Sequence, residues 1–117
     1  MTTPNDPPAP LRPVAGEAEV EAMLDRWAAG QITAPEVKAW VDRVAGADPI
    51  VRELLAELDL LEVYLLTPED VPALLAFLGS ADVTAGLDEW TRYRDAIDLD
   101  ERSRRLKRDK FYKPFCR

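Results

Sequence analysis

Three ionisable residues stand where the sequence demands cover. Asp59 and Glu62 interrupt the apolar stretch Asp48 to Leu66, and Arg94 falls inside the apolar face that Val83, Leu87, Trp90, Tyr93 and Ile97 make in a later segment. A buried carboxylate needs a partner, and a guanidinium offers a fork of donors whose stem tolerates apolar neighbours. The chemistry expected is therefore a buried ion pair in which Arg94 bridges Asp59, Glu62 or both. A site of that kind admits no substrate, so its expected role is to fix how the C-terminal helix docks.

Catalytic chemistry is hard to assemble from what remains. The chain has no histidine and one cysteine, Cys116, so the usual zinc, iron–sulfur and Cys/His nucleophile sites have no ligands to draw on. No phosphate-cradling glycine loop occurs, because the few glycines fall at expected helix ends. The carboxylate pairs Asp98 with Asp100 and Glu69 with Asp70 could serve acid–base work or hold a hard cation, but acids beside helix starts read more simply as caps. A protein that is not an enzyme, with no cofactor and no metal, is the expectation.

Charge points to a partner instead. The net charge of −7 is the sum of two unlike parts: residues 1–100 carry twenty acids and seven bases, whereas residues 101–117 carry eight bases against Glu101 and Asp109. Such a split marks a charged partner or a basic end lying on its own acidic body, and both readings stay open. Exposed Glu21, Asp25, Asp42, Glu53 and Glu57 are the candidate contacts for a basic protein surface. Arg102, Arg104, Arg105, Arg108, Lys110 and Tyr112 are the alternative, mixing cations with an aromatic ring as phosphate contact and base stacking require. For Phe111, Tyr112 and Phe115 the favoured reading is that they fold back and close the end of a bundle.

The elements that would position these groups are helical. Five prolines within the first thirteen residues predict a disordered or extended lead-in over residues 1–15. From Glu17 apolar residues recur at helical spacing: Val20, Met23, Leu24, Trp27 and Ala28, closed by Gly30. Thr33 with Glu36 forms a capping box, stapled by Ile32 and Val37, before a second helix through Trp40, Val41 and Val44 that Gly46 closes. Asp48 and Pro49 open the central helix, expected to run to Leu66 with its second half covered on both sides. Beyond it, TPED is either a separate short turn or leads to a cap at Asp70, and the helix through Leu74, Leu75, Phe77 and Leu78 follows. The last helical region starts at Asp82 and bends near Asp98, which caps a continuation with Glu101 at its third position.

The stretch from Met23 to Leu78 also resembles a known group. GQIT followed by PEV and by Trp40-Val41, then the LDLL helix and TPEDVPALLAFL, is similar to the small helical immunity proteins that bacteria make against toxins. About half of the chain is covered. The resemblance implies stoichiometric binding of a toxin, often a nuclease, with acidic groups set against its cationic site.

Together these readings predict an all-α protein, a compact bundle of five to six helices over residues 16–117 with an extended N-terminal segment and a basic aromatic C-terminal tail. No uncharged stretch reaches the 18 or so residues of a membrane span and no signal peptide is evident, so a cytoplasmic protein without membrane contact is expected. The expected function is that of an acidic binding module, in its most specific form toxin neutralisation. The alternatives are a nucleic-acid-associated regulator working through the basic end, and a scaffold or dimerisation protein. The sequence leaves the oligomeric state open.

Overall fold

The computed structural model describes residues 12–117, and the lead-in before Arg12 lies outside it. Six helices follow one another: α1 (Glu17–Ala28), α2 (Ala34–Arg43), α3 (Pro49–Leu58), α4 (Val71–Leu78), α5 (Val83–Asp95) and α6 (Leu99–Leu106), with 3₁₀ turns at Pro68–Asp70 and Lys113–Phe115. Their starts are set by the caps expected of them. The Thr33 hydroxyl accepts from the Glu36 amide while the Glu36 carboxylate takes the Thr33 amide at 3.0 Å. Asp48, Asp82 and Asp98 accept from the amides of Val51, Thr84 and Glu101 at 3.0, 2.9 and 3.0 Å. The turn and the bend predicted at Pro68 and Asp98 are both present, TPED standing as its own short turn.

Helices α1, α3 and α5 all pack on α4, whose eight residues VPALLAFL are apolar on every side. The core gathers Val20, Leu24 and Trp27 of α1, Val37 and Val41 of α2, Leu54 and Leu58 of α3, and Leu74, Phe77 and Leu78 of α4. The middle of the bundle is therefore α4, not the stretch ending at Leu66. Close contact of α4 with α5 rests on Gly86, where a Cβ would lie 3.2 Å from the Phe77 ring and 2.5 Å from the Ser80 hydroxyl.

The expected central helix is shorter than its composition suggests. It stops at Leu58, and residues 59–65 wind through tight turns in which the amides of Leu60, Leu61 and Val63 reach three residues back rather than four. Lys38 of α2 meets the chain at this point, its ammonium donating to the Asp59 carbonyl, while the Val63 amide turns to Leu60. Leu60 and Val63 are consequently 38% and 44% exposed instead of covered. The segment closes in a Schellman turn: the Leu66 amide bonds the Leu61 carbonyl at 2.8 Å and the Leu65 amide bonds Glu62 at 3.3 Å. Leu65 sits at the left-handed position with φ 54°, where α1 uses Gly30 at φ 74°. Burial of its side chain, 1% exposed, outweighs the steric cost of that backbone.

At the edges of the domain the N-terminal side departs from expectation, and at the C-terminal side only Phe115 does. Val14–Ala15 (β1) pairs in parallel with Ala45–Gly46 (β2), so Gly46 belongs to a strand rather than to a helix end. Ala15 joins the core, and the folded unit begins before residue 16. At the other end Tyr112 is buried and Phe111 half-buried against the bundle, while Phe115 remains 43% exposed.

Candidate binding surfaces and the ionic centres beneath them

The most enclosed charge in the molecule is Asp70, fully buried in the turn before α4. Its carboxylate receives four donors: the Thr67 amide at 2.8 Å, the Tyr93 hydroxyl at 2.7 Å, and Arg102 through both terminal nitrogens at 2.5 and 2.8 Å. Arg102 Nη1 also donates to the Leu65 carbonyl at 3.1 Å, and the Tyr112 hydroxyl donates to the Leu66 carbonyl at 2.5 Å. Both residues of the left-handed turn are thus held from the C-terminal segment. Burial disfavours charge on Arg102, but the Asp70 carboxylate outweighs it and raises the guanidinium above its ordinary value. A carboxylate so fully occupied has no lone pair left for proton abstraction, so this centre ties α4, α5 and α6 together rather than performing chemistry.

Arg94 is paired, but not as the sequence suggested. Its Nη1 lies 2.5 Å from Glu57, which also accepts from the Trp90 indole at 2.6 Å, and its guanidinium carbon stands 4.5 Å from the centre of the Tyr64 ring. Asp59 and Glu62 instead bind Lys38 at 2.9 and 3.3 Å. Helical phase explains the exchange, since at about 100° per residue Asp59 and Glu62 fall on the side of the chain opposite Glu57. Glu57 faces α5, whereas Asp59 and Glu62 face α2. Burial pulls the Lys38 ammonium down, but the two carboxylates outweigh it and raise it overall, and the same hydrogen bond holds Asp59 below its usual value.

The candidate surfaces are altered accordingly. Glu21 and Asp25, one turn apart on α1, are exposed, as are Asp42 on α2 and Glu53 on α3. None of the four enters an ion pair among the described residues. Asp42 lines a shallow groove with Arg12, Arg52 and Asp59, so its field is partly balanced. Glu57 is removed from the acidic surface by Arg94 and Trp90.

The basic end divides in the same way. Arg102 and Tyr112 are internal and cannot meet a nucleic acid. Arg105 bridges Glu69 at 2.7 Å and Glu101 at 2.6 Å, and these bonds raise it while Arg105 and Thr67 lower Glu69. Arg104, Arg108 and Lys110 stay exposed and outside any ion pair among the described residues, together with Lys107 and Lys113.

Sequence reasoning missed Asp70, Tyr93 and Lys38 as partners and placed Arg102 on the wrong side of the surface. A signal for Arg102 was present: it stands three residues after Leu99 and four before Leu106, on the same helical face as both leucines. Among the described residues no group of His, Cys, Asp and Glu is placed to hold a metal ion, and no helix is long and apolar enough to cross a membrane. Neither a family model, nor a curated protein, nor a solved structure matches the chain.

Proposed function

We propose that this protein is a non-enzymatic binding module that offers the acidic outer sides of α1, α2 and α3 to a cationic surface of a protein partner. The observation that carries the reading is the exposure of Glu21, Asp25, Asp42 and Glu53 outside any ion pair among the described residues, while Glu57, Glu62 and Asp70 each pair with a cation. Uncommitted acids on rigid helices raise the rate of encounter with a basic partner and make it sensitive to salt. In its most specific form the partner is a toxin, occluded at its active or nucleic-acid-binding site.

The test is affinity capture from the source cells followed by association kinetics with the purified partner. Expected is a basic protein whose on-rate drops about tenfold or more for Glu21→Lys/Asp25→Lys and falls with added salt. If that partner is a toxin, one equivalent of this protein abolishes its activity. A partner indifferent to both the substitutions and the salt overturns the reading.

A second reading rests on the exposed Arg104, Lys107, Arg108, Lys110 and Lys113, which suit a phosphate backbone. It proceeds without Arg102 and without stacking on Tyr112. A gel shift with RNA or DNA at low salt, lost on replacing Arg104, Arg108 and Lys110, supports it, and no shift at low salt removes it.

A further inference from the structure

A groove of about 460 Å³ opens between α1, α2 and the β1 strand, away from both ionic centres. Its volume falls within the roughly 300–1,000 Å³ typical of small-molecule sites. Apolar groups dominate its lining. Met23 and Val44 belong to the core, Ile32 and Trp40 pack on the core half-covered, and Val14 is 67% exposed, the most exposed large apolar side chain among the described residues.

The charges at the groove are two acids and two bases, but they are not equally committed. The Glu19 carboxylate accepts from the Gly16 amide at 3.0 Å, and Glu36 accepts from the amide and hydroxyl of Thr33, each at 3.0 Å. Each acid thus gives one oxygen to starting α1 or α2, and the Thr33 bonds, with Arg26 nearby, hold Glu36 below its usual value. Arg26 and Arg43, in the last turns of the same two helices, are exposed and enter no ion pair among the described residues. The Trp40 indole N–H likewise has no acceptor among them, unlike that of Trp90. The groove therefore offers apolar area and, at the last turns of α1 and α2, two guanidinium groups outside any ion pair among the described residues.

We propose that this groove binds a small anionic amphiphile, a carboxylate carried on an aliphatic or aromatic body, with the body against Met23, Ile32 and Trp40 and the carboxylate held by Arg26 and Arg43. Guanidinium is suited to a carboxylate because its fork can meet both oxygens, and a groove of this size takes one such molecule. The site is independent of the acidic outer sides of α1 to α3 and does not require a protein partner.

Decanoate and decanol, which share a chain and differ in charge, are the probes. The full chain is titrated below the concentration at which decanoate forms micelles, with binding followed by nuclear magnetic resonance at the Trp40 indole and the Val14 and Ile32 amides. Expected is saturable binding of decanoate with shifts confined to those positions, and affinity at least about tenfold weaker for decanol. Arg26→Gln/Arg43→Gln should abolish that preference and leave decanol binding unchanged, while Glu21→Lys/Asp25→Lys leaves both unchanged. Should the double arginine variant not fold, Arg43→Gln alone and the salt dependence of the wild-type preference give the same reading. Equal binding of the two probes overturns the assignment, as do shifts mapping to α4 and α5, absence of saturation, or a response only to acidic peptides.

Discussion

Replacing Arg102 by methionine tests the arrangement around Asp70 most directly. The substitution keeps a flexible apolar stem of similar reach and deletes the cation that, among the described residues, pairs with the fully buried Asp70 carboxylate. Breaking a buried pair by removing one partner costs about 3–5 kcal/mol. Asp70 retains the Thr67 amide and the Tyr93 hydroxyl, which favours the lower half of that range, but the Leu65 carbonyl loses its donor as well, a further cost of about 1–3 kcal/mol where water cannot replace it. The expected loss is about 4 kcal/mol, against roughly 6–18 kcal/mol for the stability of a chain of this length.

The assay is urea unfolding followed by tryptophan fluorescence and far-ultraviolet circular dichroism, with coincident transitions as the check on two-state behaviour. Arg104→Met is the control for charge: exposed and unpaired two residues away, it should change stability by no more than about 0.5 kcal/mol. Asp70→Asn combined with Arg102→Met should be more stable than Arg102→Met alone, since the stranded charge is gone. A loss below about 1 kcal/mol for Arg102→Met, or a double variant no better than the single, refutes the reasoning.

The other centres give smaller or differently signed effects. Arg94→Met should cost about 2–3 kcal/mol in the same assay, less than Arg102→Met, because Glu57 keeps the Trp90 indole and its pair is 13–19% exposed. At the Schellman turns, Gly30→Ala should cost about 1 kcal/mol from backbone alone, as a Cβ there meets nothing within 4 Å, whereas Leu65→Gly relieves strain of about 1–2 kcal/mol and loses a buried leucine worth about 2–5 kcal/mol, for a net destabilisation. Burial raises the Tyr112 phenol, and burial with the Asp70 carboxylate raises that of Tyr93, so both should ionise later than a free phenol when absorbance is followed through pH 10. Their folded values lie above the unfolded one. Their contribution is complete below about pH 10 and is lost as pH rises through the folded values, so alkaline unfolding should accompany the late tyrosine signal.

Helix starts were the most legible part of the chain because their signals are local. Thr33 with Glu36, Asp48 before Pro49, and Asp98 before Glu101 each act within one turn, and each cap forms. The length of α3 was not legible, since DLLEVYLL is sound helix sequence and the cation that meets Asp59 and Glu62 comes from Lys38, twenty-one residues before Asp59. The ion pairs lie between these extremes. An arginine on an apolar face must find a carboxylate, and that much held for Arg94, but which carboxylate it finds depends on which side of α3 is turned to α5. Glu57 faces α5 and takes Arg94, whereas Asp59 and Glu62 lie on the opposite side of the chain, towards Lys38 of α2. Arg102 obeys the same rule on a thinner stripe of two leucines, where a run of surrounding cations masked it as part of a surface. The candidate acidic surface is narrowed by the same accounting: Arg94 draws in Glu57, and of the five acids first considered Glu21, Asp25, Asp42 and Glu53 stay exposed and outside any ion pair among the described residues.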